Sequence, residues 1–145
     1  MINVKYPDPK FRIKKVENKE LIFDSVRKSW IELTDEEWVR QNFIQYLVQV
    51  MNYPILNIAV EKEIKLGELK KRFDILVYDK NHTPWMLIEC KAHAINLDEN
   101  VMQQILRYNI SVPAIFLIIT NGDSCYSWEK LENSLQEISN LPEWK

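Results

Sequence analysis

Residues 72–92 read RFDILVYDKNHTPWMLIECKA, and two apolar runs inside this stretch decide the fold. RFDILVYD at 72–79 and PWMLIECK at 84–91 are rich in β-branched and aromatic residues, the composition of strands. Lys80-Asn81-His82-Thr83 between them has turn composition, which predicts an antiparallel hairpin. Three charges interrupt the runs: Asp74, Glu89 and Lys91. Buried charge is costly unless it is paired, so each needs a partner, a metal or water. Glu89 and Lys91 stand two apart and share one face of their strand. A suitable hairpin register brings Asp74 to that same face, where two carboxylates and an ammonium converge.

The flanking sequence sorts into elements of both kinds. Upstream, residues 11–24 (FRIKKVENKELIFD) alternate on either side of Glu17-Asn18-Lys19 and predict a β-hairpin. Thr34 and Glu37 have capping-box spacing and open a helix. Val39, Phe43, Ile44, Leu47, Val48 and Met51 form its apolar face, and Asn52-Tyr53-Pro54 ends it. Residues 57–64 (NIAVEKEI) alternate as a strand does. Downstream, a helix is expected over about 98–108 and a doubly buried strand over 114–120 (AIFLIIT). A last amphipathic helix is expected over 126–139. The pattern implies an α/β fold with a central mixed sheet flanked by helices and an N-terminal β-hairpin.

Composition sets the outer bounds. The chain has 145 residues, 46% hydrophobic and 11% aromatic, with only two glycines, which fits one domain over 1–145 with a real core. No apolar run is long enough to span a bilayer, and the N-terminus lacks a signal-peptide core, so no membrane association is expected and cytoplasm is the expected location. Cys90 and Cys125 have no metal-binding spacing. The formal net charge of -2 is unusual for a nucleic-acid enzyme, although a carboxylate-rich metal site lowers the count and basic residues cluster at Lys62, Lys65, Lys70, Lys71 and Arg72. The four lysines read more readily as a solvated face than as a DNA track.

Two carboxylates beside a lysine suit metal-assisted phosphodiester hydrolysis. Mg²⁺ takes a few carboxylates and keeps waters that substrate displaces. The lysine either orients or deprotonates the attacking water or stabilises developing charge. Residue types alone leave that choice open.

Asp74 followed fifteen residues later by Glu89-Cys90-Lys91 resembles the D…(D/E)-x-K signature of the PD-(D/E)XK nuclease superfamily. EEWVRQNFIQYL at 36–47, RFDILVYDKNHTPWMLIECKA at 72–92, QQILRYN at 103–109 and LIITNG at 117–122 resemble the N-terminal nuclease domain of type I restriction enzyme R subunits, in its small stand-alone form. The resemblance covers about residues 10–125; the helicase motor of those subunits has no counterpart in it. Phe73 stands where the superfamily name has proline.

The resemblance implies a restriction-endonuclease-like fold and a Mg²⁺- or Mn²⁺-dependent endonuclease acting on DNA. It implies Asp74, Glu89 and the Cys90 carbonyl as metal ligands, Lys91 as the catalytic lysine, and Glu37 as a helix carboxylate reaching a metal through water. Gln104 and Tyr108 match a glutamine-x-x-x-tyrosine element that supports the site or DNA. Arg40, set in the helix's apolar face, needs an acidic partner or a phosphate, and with Arg72 it is a candidate for DNA contact or site support. Related nucleases often act as homodimers. The alternatives are a non-cleaving nucleic-acid-binding module and a protein-interaction module that recruits a separately encoded helicase or methyltransferase.

Overall fold

The computed structural model describes residues 1–145. The sheet predicted around residues 72–92 is its centre. Strands β4 (Ile58–Leu66), β5 (Leu69–Tyr78) and β6 (Pro84–Cys90) run antiparallel in sequence order. β7 (Phe116–Thr120) then lies parallel to β6, and β8 (Cys125–Lys130) and β9 (Leu135–Ile138) complete six strands in the order β4-β5-β6-β7-β8-β9.

Helix α1 (Asp35–Gln49) covers one face. Its Val39, Phe43, Ile44 and Leu47 pack on Ile75, Val77, Met86, Ile88 and Ile118. Helix α2 (Glu99–Asn109) precedes β7 and covers the other face, with Ile105 and Leu106 against Ile119 and Trp128. This α/β sandwich is consistent with a restriction-endonuclease-like fold. α1 starts at the cap expected at Thr34, whose Oγ1 accepts the Glu37 N–H at 3.0 Å, and α2 is capped by Asp98, whose Oδ1 accepts the Val101 N–H at 2.9 Å. Neither helix is long and apolar enough to cross a membrane.

The N-terminal hairpin expected over 11–24 forms as β1 (Ile13–Val16) with β2 (Lys19–Asp24), and a third strand, β3 (Ser29–Glu32), joins it in a separate antiparallel sheet. One expectation needs correction. The helix expected over 126–139 is instead the β8–β9 hairpin, with Ser127 opposite Ile138 and Lys130 opposite Leu135. Leu131, Leu135 and Ile138 mimic helical spacing, but β7 is buried on both faces and needs a partner along its open edge. Tyr126 and Trp128 supply strand-forming aromatics, and the Leu131 N–H closes the turn on Ser134 O at 2.8 Å.

Candidate active site

The site forms where β5 and β6 part. Their ladder reaches Ile75 opposite Ile88 and stops one step short of placing Asp74 opposite Glu89. Asp74 takes over with its side chain, Oδ2 accepting the Cys90 N–H at 2.8 Å. On the other edge of β5, Val60 pairs Ile75 and Lys62 pairs Phe73, while Glu61 between them has a φ of +51°. A non-glycine residue in that region carries strain of order 1–3 kcal/mol and persists only where its surroundings hold it. Phe73 packs with Leu87 on one side of the sheet and Ile75 with the α1 core on the other, so β5 changes face across Asp74.

Asp74 is held from α1 as well. Arg40 Nη2 donates to Asp74 Oδ1 at 2.8 Å, and Arg40 Nη1 donates to Glu37 Oε1 at 2.5 Å. Burial opposes the guanidinium charge, but the hydrogen bond to Asp74 and the charges of Glu37 and Asp74 outweigh it and raise the Arg40 pKa. The expectation that Arg40 needs an acidic partner is met by two hydrogen-bonded carboxylates, with Glu61 and Glu36 at 3.5 and 3.7 Å.

Glu89 leaves β6 beside Ile105, Leu106 and Asn109 of α2. Burial and then the negative charge of Asp74 push its carboxyl up to about 7, and a hydrogen bond with Asp74 favours the protonated form. Lys91 acts in the opposite sense, its Nζ lying 3.7 Å from Glu89 Oε1. The Lys91 backbone N–H donates to Thr120 O at 2.8 Å, which anchors the end of β6 to β7. Asp74, Glu89 and Lys91 therefore meet at one point of the sheet.

The remaining candidates divide. Glu37 is buried and committed: Arg27 Nη2 donates to Oε1 at 2.8 Å, Arg40 to the same oxygen, and Gln41 Nε2 to Oε2 at 2.9 Å. Its neighbour Glu36 is more exposed, and its pKa is raised by burial and then by Asp74, with Arg40 and Lys91 opposing. Glu36 Oε1 lies 3.7 Å from Arg40 Nη2. The family resemblance points to Glu37 rather than Glu36; the one-turn step from Glu36 to Arg40 is the sequence signal for Glu36. Arg72 is exposed and pairs with Glu61 Oε2 at 3.1 Å, with no hydrogen bond to Asp74. Gln104 and Tyr108 lie on the exposed edge of α2, the Tyr108 ring 4.4 Å from Lys71 Nζ, and neither hydrogen-bonds to Asp74, Glu89 or Lys91. The Cys90 thiol is buried and its pKa is raised well above the ordinary value, first by burial, so it contributes backbone rather than sulfur.

Arg27 was also missed. From the β2–β3 turn it bonds Asp24 as well as Glu37, and its Nη1 lies 3.6 Å from Glu61 Oε2. It ties the N-terminal sheet to the rim of the site.

No set of three or more His, Cys, Asp or Glu side chains is gathered to cage an ion. Mg²⁺ does not require one, since it binds through one or two carboxylates and keeps its waters. Asp74 and Glu89 supply hard oxygens in mutual repulsion, which a dication relieves. The donor set therefore fits that ion.

The sequence profile of the family described as type I restriction enzyme R protein N terminus (HSDR_N) matches residues 35–142. No curated protein matches the chain.

Proposed function

The chain belongs to the family of type I restriction enzyme R protein N termini, and from that premise we propose that it is a metal-dependent deoxyribonuclease with Asp74, Glu89 and Lys91 as its catalytic centre. The observation that carries this reading is the meeting of those three side chains where β5 and β6 part. Asp74, Glu89 and the Cys90 carbonyl would hold Mg²⁺ or Mn²⁺, which polarises the phosphate, acidifies a bound water and stabilises the leaving oxygen.

The chain's own groups do the rest. Arg40 fixes the Asp74 rotamer from α1, and the Cys90 N–H fixes it from β6. Lys91, half-buried and anchored through its backbone, presents its ammonium beside Glu89 to align the attacking water or to meet charge developing on the phosphate. Glu36 is better placed than Glu37 to reach the ion through water, because Glu37 is spent on two arginines. Cutting both strands of a duplex is easier with two such sites, so a homodimer on duplex DNA would suit this reading.

One observation favours a non-cleaving module: Arg40 already neutralises Asp74. The two readings separate on incubating plasmid and single-stranded DNA with the protein in Mg²⁺, in Mn²⁺ and in excess chelator. Cleavage that the chelator abolishes supports the nuclease; Mn²⁺ binding with every DNA left intact contradicts it.

A further inference from the structure

The three-stranded N-terminal sheet has one face that the core does not use. Ile22 and Asp24 of β2 are fully buried, so the alternating positions Leu21 and Phe23 look away from the core. Phe23 pairs with Trp30 on β3, and its N–H donates to Arg12 O at 2.9 Å, which makes a cross-strand row Arg12–Phe23–Trp30. A second row, Lys14–Leu21–Glu32, runs beside it.

Phe23 and Trp30 meet edge to face with centroids 5.4 Å apart. The Arg12 guanidinium lies 4.1 Å from the Phe23 centroid, and Lys14 Nζ lies 4.2 Å from that of Trp30. Both rings are only partly buried, while Arg12 and Lys14 are exposed. Residues 1–33 hold eight of the chain's 19 lysines and arginines but five of its 21 acids, so this segment is basic within an acidic protein. It also precedes the family match, which begins at residue 35. Through Arg27 the same sheet reaches Glu37 and Glu61 at the rim of the site.

We propose that this face binds single-stranded nucleic acid, with bases stacking on Trp30 and Phe23 and phosphates taken by Arg12 and Lys14. Aromatic rings interleaved with cations form a stacking platform with a charged track, and only unpaired bases offer the ring faces such a platform needs. Lys14 and Arg12 lie over the rings in the free protein; on binding they swing to the backbone while a base takes the ring surface. The sheet would thus hold a strand next to the site, a role that extends the nuclease reading but does not depend on cleavage.

The test is fluorescence anisotropy of labelled oligo-dT and oligo-rU in chelator, with Trp quenching followed in parallel and a duplex of equal length as control. The expected result is binding of the single strands with quenching that disappears in Trp30→Leu. Affinity should fall about tenfold in Trp30→Leu and be largely restored in Trp30→Phe. Arg12→Gln with Lys14→Gln should lower the salt slope by about 1.4, two single-strand phosphate contacts. Circular dichroism checks that each variant is folded. No single-strand binding, equal binding by the folded variants, or tighter binding of the duplex overturns the proposal. Binding here without cleavage in Mg²⁺ leaves this proposal standing and removes the nuclease; cleavage with unchanged binding in the variants does the reverse. Preference between the DNA and RNA probes identifies which strand the face takes.

Discussion

The Arg40 guanidinium donates to Asp74 Oδ1 at 2.8 Å from a position on α1 that is almost wholly buried. One side chain thereby couples the first helix to the fork between β5 and β6, where the Asp74 side chain replaces a ladder hydrogen bond. The pair gives the site a rigid arm before any ion or substrate arrives.

Removing that arm should be costly. Breaking a buried ion pair from one side strands the other charge, and Arg40→Ala strands both Asp74 and Glu37. Chemical denaturation should show a loss of about 3 kcal/mol. Arg40→Lys should fall between the two, since an ammonium keeps the charge without the planar fork that spans both carboxylates.

Glu36 and Glu37 should separate by readout. Glu37→Gln disrupts contacts with Arg27, Arg40 and Gln41, so its thermal midpoint should drop. Glu36→Gln should leave the midpoint nearly unchanged and reduce the cleavage rate. The opposite pattern would return the helix carboxylate's site role to Glu37.

Glu89 should impose a pH dependence on the metal-free protein. Its folded carboxyl holds its proton to about 7, against an ordinary value of 4.5 in the unfolded chain. Between those values the folded state binds more protons, so stability falls as pH rises through the window and levels off above it. Glu89→Gln should remove that decline, on the order of 2 kcal/mol after allowing for partial exposure. Divalent-cation affinity should strengthen over the same window, because the ion competes with the proton; calorimetry at pH 6 and pH 8 measures it. Affinity that is flat with pH would place the ion elsewhere.

The centre of this fold was legible because charges inside apolar strands are costly and therefore informative. Asp74, Glu89 and Lys91 interrupt runs that are otherwise core, and the hairpin they predicted is β5–β6. The helix cap at Thr34 was legible for a similar reason, since its hydroxyl offers an oxygen to an unpaired N–H. The β8–β9 hairpin was not, because its apolar spacing fits a helix and only the open edge of β7, a tertiary fact, selects strands. Glu36 and Glu37 could not be ordered from spacing alone. Glu37 is held by Arg27, a residue from another sheet, as well as by Arg40 and Gln41 of its own helix.

The most direct measurement compares Mg²⁺-dependent cleavage of plasmid DNA by wild type, Asp74→Ala and Lys91→Ala, purified alike and assayed at a temperature where melting curves show each to be folded. Lys91 is half-buried with its ammonium free of any partner but Glu89, so Lys91→Ala should keep the fold and lose at least about 100-fold in rate. Asp74→Ala should lose cleavage and Mn²⁺ binding together. Cleavage that persists in both folded variants, or a wild type that binds Mn²⁺ and cuts nothing, would contradict a nuclease centred on Asp74, Glu89 and Lys91.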